Sequence, residues 1–382
     1  MELPFILSRV MTVLLDSYIF FMNVRLNIYL GRITKGLSVT VACVVAPLVA
    51  ASAAHSCTVR GASSRMVNYC LTQELSGKVV GIRQIQMVDY FQKREGYSNG
   101  LGLPGAIDNM SVQPYAFPVL DYSTNINGGN PDKPLELGTL TFAGDSNLLR
   151  KQGAIVGLGV GAKGRYIYGE GQYFDFFANG TYTRSIEYDL GIAQHSLSVC
   201  SKKNVHQTWF TDVCVTSART TKELTDVEGQ TASLSFARLF GSPGNSYHKA
   251  NVGLKRSFEH SFTQNHLALG LDTIHQNGVF SAVSLTIGET IPETLATKFK
   301  IYANVGTTFF GRNLSLALSY SEARHGKILG FDQEEATSYF SIQYAFNPKF
   351  TLSLGYSNTN SNIDYFDRSE PSFGIQFSPI EF

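Results

Sequence analysis

The sequence predicts an all-β protein: a transmembrane antiparallel β-barrel of about 14 strands that follows a small N-terminal segment. Three observations predict it. Apolar and polar residues alternate through most of the last 230 or so positions, charge is scarce, and the segments fall into a hairpin rhythm whose strand count is even. Phe350, Leu352, Leu354 and Tyr356 share one parity, while Thr351, Ser353, Gly355 and Ser357 take the other. A strand puts neighbouring side chains on opposite faces, so this pattern makes one greasy face and one polar face. The split recurs at Leu314, Leu316, Leu318 and Tyr320, at Phe340, Ile342, Tyr344 and Phe346, and at Phe174, Phe176, Ala178, Gly180 and Tyr182. The polar parity is mostly Ser, Thr, Gly, Asn and Tyr with few charges, which suits a watery lumen better than the open face of a soluble sandwich.

Composition agrees. Of 382 residues, 16% are charged and 12% aromatic, and the net charge is +1. Soluble chains carry about 25% charged residues, so this one is short of them. No Lys/Arg run points to a nucleic-acid partner.

At the N-terminus, Arg32 and Lys35 precede the apolar run Leu37–Ala51, and the small residues Ala51–Ala54 offer an export cleavage site. Residues 1–54 read as an extension plus signal peptide, with Met22 ahead of Arg25 as a more ordinary start than Met1. Residues 55–110 lack alternation and hold one possible helix, Gly81–Lys93, so they read as a small periplasmic or plug segment. Residues 111–382 form the barrel. Cys43 leaves with the signal, so Cys57, Cys70, Cys200 and Cys214 remain. An even count in an exported chain implies disulfides, and sequence proximity favours Cys57 with Cys70 and Cys200 with Cys214 among three pairings.

The first strand is predicted near Val112–Asn125, and thirteen more follow to the C-terminus. From a periplasmic start, the inner turns fall at Gly169–Gly171, Ser201–Gln207, Gly241–Asn245, His275–Gly278, Gly311–Asn313 and Asn347–Lys349, rich in Gly, Asn and Pro. Longer outer connections are expected at Ile126–Arg150, Thr220–Gln230, Glu289–Glu293, Glu322–Glu335 and Ser361–Glu370, with short ones near Ser185 and Ser261 breaking the pattern. Within the strand after Arg150, Gly157, Gly159 and Gly161 sit opposite Val156, Leu158 and Val160. No helix start follows to receive a phosphate, so the glycines read as a smooth inner wall for a bulky group.

The last strand ends Phe377-Ser378-Pro379-Ile380-Glu381-Phe382. It resembles the C-terminal signal read by the barrel assembly machinery, with Ile380 and Phe382 at the matching positions. Pro379 departs from that pattern and implies a bulge or an unpaired site. Asp121-Tyr122-Ser123-Thr124-Asn125-Ile126-Asn127 and Asn362-Ile363-Asp364-Tyr365-Phe366 resemble stretches of the barrel of surface lipoprotein assembly modifier proteins. That resemblance implies a barrel of about 14 strands that helps proteins cross the outer membrane. Those proteins usually carry a tetratricopeptide-repeat domain before the barrel, and residues 55–110 are too few for one.

No nucleophile motif such as G-x-S-x-G occurs. His266 and Asp272 share a parity but lie about 20 Å apart along one strand. His325 reads as a solvated loop residue beside Glu322 and Lys327. No metal or other cofactor is expected, and no enzymatic activity. The polar parity places Lys249 and Lys255 on one strand and Lys298 and Lys300 on another. These either bias passage towards anions or pair with Asp175, Asp272 or the N-terminal segment. The expected partners are outer-membrane lipid, the assembly machinery, and an exported protein or small solute. The expected function is transport or assisted secretion across the outer membrane, with a lipid-directed barrel enzyme or a surface adhesion protein as alternatives.

Overall fold

A computed structural model describes residues 57–59, 61–75, 82–97, 110–206, 208–242 and 246–381, all within one unit, Val49–Phe382. The expected signal segment, its start and Phe382 lie outside the described residues.

The alternating segments form strands β1 (Met110–Ser123), β4 (Gly153–Gly169), β5 (Gln172–Ser185), β6 (Gly191–His206), β7 (Trp209–Thr221), β8 (Asp226–Ser242), β9 (Ser246–Glu259), β10 (Thr263–Ile274), β11 (Phe280–Gly288), β12 (Ala296–Phe309), β13 (Arg312–Ile328), β14 (Phe331–Asn347), β15 (Phe350–Ser361) and β16 (Arg368–Phe377). Each pairs antiparallel with its neighbour in sequence order, and β16 returns to β1, closing a barrel of 14 strands. A hairpin, β2 (Leu135–Leu137) and β3 (Leu140–Phe142), lies in the long connection from β1 to β4, and β17 (Ile380–Glu381) continues β16 past a break.

Register fixes the faces. Leu158, Val160, Tyr182, Leu197, Val215, Leu254, Val283, Ile301, Leu318 and Tyr356 lie on one parity and are exposed; Leu158 keeps 68% of its surface accessible. So wide an apolar exterior would not stay in water, and it is the lipid-facing band of a membrane barrel. The single-chain, even-stranded, antiparallel form is that of the bacterial outer membrane. Among the described residues, no helix is long and apolar enough to cross a membrane.

Three sequence expectations need correction. The N-terminal segment holds two helices, α1 (Ser64–Leu75) and α2 (Ile82–Arg94), where the sequence indicated one. Met66, Val67, Cys70 and Leu71 of α1 are buried at helical spacing, a period that a search for strand alternation passes over. The outer connections are also mostly tight. Thr220–Gln230 and Glu322–Glu335 are largely strand, with the turns at 222–225 and 329–330. A membrane strand needs about 9–11 residues, so the 17-residue strands β13 and β14 run on beyond the lipid as a polar hairpin. His325 is therefore in β13, at a register slip between Ala323 and Gly326, with a φ of 66°. Likewise Ser201–His206 belongs to β6, not to a turn.

Candidate functional site: the lumen and its two mouths

At the inner mouth the helices lie against lumen-facing side chains. Met66, Val67, Cys70, Leu71 and Val88 share an apolar cluster with Phe210, Ala237, Leu239, Tyr247, Ile274 and Phe280, from β7 to β11. Disulfides join Cys57 to Cys70 and Cys200 to Cys214. The first ties the leading residues to α1 inside this cluster, and the second links facing positions of β6 and β7 on the lumen side.

Beside the cluster runs a buried charge network. Arg65 of α1 reaches Glu95 at 3.3 Å and Asp212 of β7 at 2.7 Å. Glu95 also accepts from Tyr173 at 2.7 Å and from Ser64. Arg165 binds both oxygens of Asp175 and donates to the Arg94 carbonyl, and its guanidinium lies 3.9 Å over the Tyr173 ring. Lys202 completes the set, 3.0 Å from Asp175. Three cations meet three carboxylates, the arrangement that makes burial of charge tolerable. Gly171 of the β4–β5 turn donates to Gly96, fastening the exit of α2.

Further up, Lys249 bonds Asp272 at 2.6 Å. Among the described residues, no carboxylate lies within ion-pair distance of Lys255 or Lys300. Lys255 of β9 faces His266 across the ladder and Lys300 of β12 faces Thr286, so both line the lumen, with β10 and β11 between them. The alternation that grouped Lys298 with Lys300 breaks at a bulge between Thr297 and Phe299, and Lys298 lies in the field of Glu322. His266 and Asp272 do not meet. His266 instead pairs with Ser257 at 3.1 Å, and its Nδ1 has no hydrogen-bond partner. A serine nucleophile needs its base oriented by a third group, and none stands here among the described residues.

The glycines of β4 form a smooth wall. A side chain on Gly159 would enter the Phe117 ring, and one on Gly161 would meet Tyr115. Those rings lie 6.1 Å apart and nearly parallel, and Phe177 stacks on Tyr115 at 6.5 Å.

At the outer mouth, 124–152 crosses the opening. Ile126 is fully buried against Ile155 and Ile192. Asn127 accepts from Gly129 and Lys151 and donates to the Leu149 carbonyl, closing the loop on itself. Asn125 exchanges two bonds with Gly129. The β7–β8 turn clasps this loop: Lys222 donates to the Asn125 carbonyl at 2.6 Å and Leu224 to that of Asn127. Burial pushes the Lys222 ammonium below the ordinary lysine range, with Glu370 opposing. On the far side, β2 touches the short 3-10 turn Asp364–Phe366, and Asn362 bridges Glu334 and Asp332.

The sequence missed Arg65, Glu95, Tyr173 and Asp212. Tyr173 and Asp212 stood on the lumen parity, but their partners lie in the segment without alternation, and only the register brings them together.

No family profile and no curated protein matches the chain. Its fold is similar to that of solved porins. OprB from Pseudomonas putida aligns at 8% identity over 72% of this chain and 94% of its own, with a TM-score of 0.42. OccK2 (OpdF) from Pseudomonas aeruginosa, solved in complex with glucuronate, aligns at 9% over 73% and 100%, with 0.40. A BenF-like porin from Pseudomonas fluorescens Pf-5 aligns at 10% over 71% and 99%, with 0.35. At such scores nothing about substrate or mechanism follows.

Proposed function

We propose that the chain is a passage across the outer membrane, with the helical segment 57–97 as a plug in its inner mouth. One observation carries this reading. The plug's described contacts fall on β4–β11, while the lumen face of β13–β16 carries Ser315, Ala317, Ser319, Ser341, Gln343, Ser353, Gly355 and Ser372, a polar wall whose charged members Glu335, Arg368 and Glu370 stand towards its outer end. Such a wall suits hydrated solute, with Lys255 and Lys300 adding cationic points and Asp175, Lys249 and Asp272 tied up in pairs. Lys298 stays a candidate lining residue, subject to its bulge. Residue Ile380, facing lipid beside Ala116, fits recognition by the assembly machinery. The test is current through the purified full chain in planar bilayers. Stepwise conductance supports the reading; a barrel that shifts on a gel only after boiling yet passes no current overturns it.

A protein cargo is the second reading. It is supported by the two stretches that resemble surface lipoprotein assembly modifiers, Asp121–Asn127 and Asn362–Phe366, which both build the loop cluster over the outer mouth.

A further inference from the structure

The barrel is not equally closed around its circumference. β1 pairs with β4 along its whole length, Met110–Ser123. Across the seam to β16 and β17 it pairs only at Val119–Asp121 and Tyr115–Ala116. Between these stretches Phe117 and Pro118 face Phe377, Ser378 and Pro379, three residues against two. The Ser378 N–H turns away to the Lys349 carbonyl at 2.6 Å. Every proline inside a described strand flanks this seam: Pro114 and Pro118 on β1, Pro371 on β16. Proline has no N–H to give a ladder, and in a bilayer no water replaces the lost bond. The inner end is fastened by Lys163 to Glu381 at 2.7 Å, but both are about half exposed, and such pairs contribute little.

A second observation sits beside the first. The stacked Tyr115, Phe117 and Phe177, with Val119 and the side-chain-free Gly157, Gly159 and Gly161, make an apolar patch on the lumen face of β1, β4 and β5. Phe177 keeps 42% of its surface accessible. Unlike the apolar cluster from β7 to β11, which the helices cover, this patch adjoins the weakest ladder, and Phe117 stands opposite the bulge itself.

We propose that the patch is a docking site for the apolar chain of an amphiphile, and that the β1–β16 seam is its lateral route between lumen and bilayer. The occupant is argued from continuity. The patch is joined to lipid through a seam whose prolines blunt it against pairing with another strand, so an acyl chain fits and a β-strand partner does not. The seam need open only a few residues, since Met110–Pro114 and Arg368–Phe373 already lack ladder partners across it among the described residues, the Gln113 side chain alone reaching Glu381. The proposal needs the closed barrel alone and does not depend on solute conductance.

The test uses the full chain in phosphatidylcholine vesicles with a fatty acid bearing a diazirine near its chain end. After illumination, peptide mapping should find tags on lumen-facing Phe117 and Phe177 as well as on lipid-facing Leu158 and Tyr182. A Leu120→Cys/Ile375→Cys disulfide, placed at facing register positions, should abolish the lumen tags and spare the exterior ones. Asp121→Cys/Gly374→Cys is the alternative lock, and heat-modifiable mobility confirms folding. Lumen residues untagged in the unlocked barrel, with the exterior tagged, overturn the site. Lumen tags that persist in the locked barrel overturn the route.

Discussion

The two halves of the lumen wall are built from the same kind of antiparallel strand but are finished differently. From β4 to β11 the inner face offers Arg165, Tyr173, Asp175, Lys202, Phe210, Asp212, Leu239 and Ile274, side chains that need a partner and find it in the two helices or in each other. From β13 to β16 the inner face is mostly Ser, Thr, Gly and Gln, which are satisfied by water, with Glu335, Arg368 and Glu370 only towards the outer end. A large apolar group facing a watery lumen is a poor choice unless something covers it, so the apolar part of the first wall marks where the helices dock. The second marks where they do not.

The largest effect that would break this contrast comes from Arg65. Arg65→Ala leaves Asp212 and Glu95, itself 2% exposed, without their shared cation. Removing one member of a buried ion pair costs about 3–5 kcal/mol, here charged against docking of the helices and not against the barrel. Limited trypsin digestion should then cut within α2, after Lys93 or Arg94, while the barrel still shifts on heating. Unchanged protection would mean that the network is incidental to docking.

The Cys57–Cys70 bridge comes next. It closes a span of 13 residues that no strand ladder holds, and a loop of about that size contributes about 3 kcal/mol. Cys57→Ser/Cys70→Ser should therefore expose the segment to protease. Cys200→Ser/Cys214→Ser, at positions already held by the β6–β7 ladder, should change little. Equal sensitivity of both variants would remove the distinction.

How far the sequence carried depends on which of these regions is read. The barrel was legible because a two-residue period repeated over hundreds of positions needs no partner to be recognised, and the parity of Phe350–Ser357 alone gives its two faces. The Pro379 break was legible too, since a missing N–H is a property of one residue. Helix α1 was written in Met66, Val67, Cys70 and Leu71, but over so short a stretch that its period competes with noise. The charge network was not legible. Arg65 and Asp212 lie 147 positions apart, and parity gives a face without giving the height or neighbour. The outer loops were overread because charged residues mark the edge of the lipid, and β13 and β14 continue past it.

The smallest effect sharpens the contrast on the open side. Ser353 points into the lumen on β15 and Leu354 points to lipid one residue later, 45% exposed. If solute follows the hydroxyl wall, Ser353→Trp narrows its path and lowers unit conductance by roughly a factor of two, an effect of pore width and lining. Leu354→Trp adds the same ring to the membrane belt, where aromatic residues are at home, and leaves conductance alone. Both variants should retain the heat-dependent shift, because neither removes a ladder bond. Equal conductance in the two would place the path elsewhere, and the bare wall of β13–β16 would then be a surface for the plug in another position.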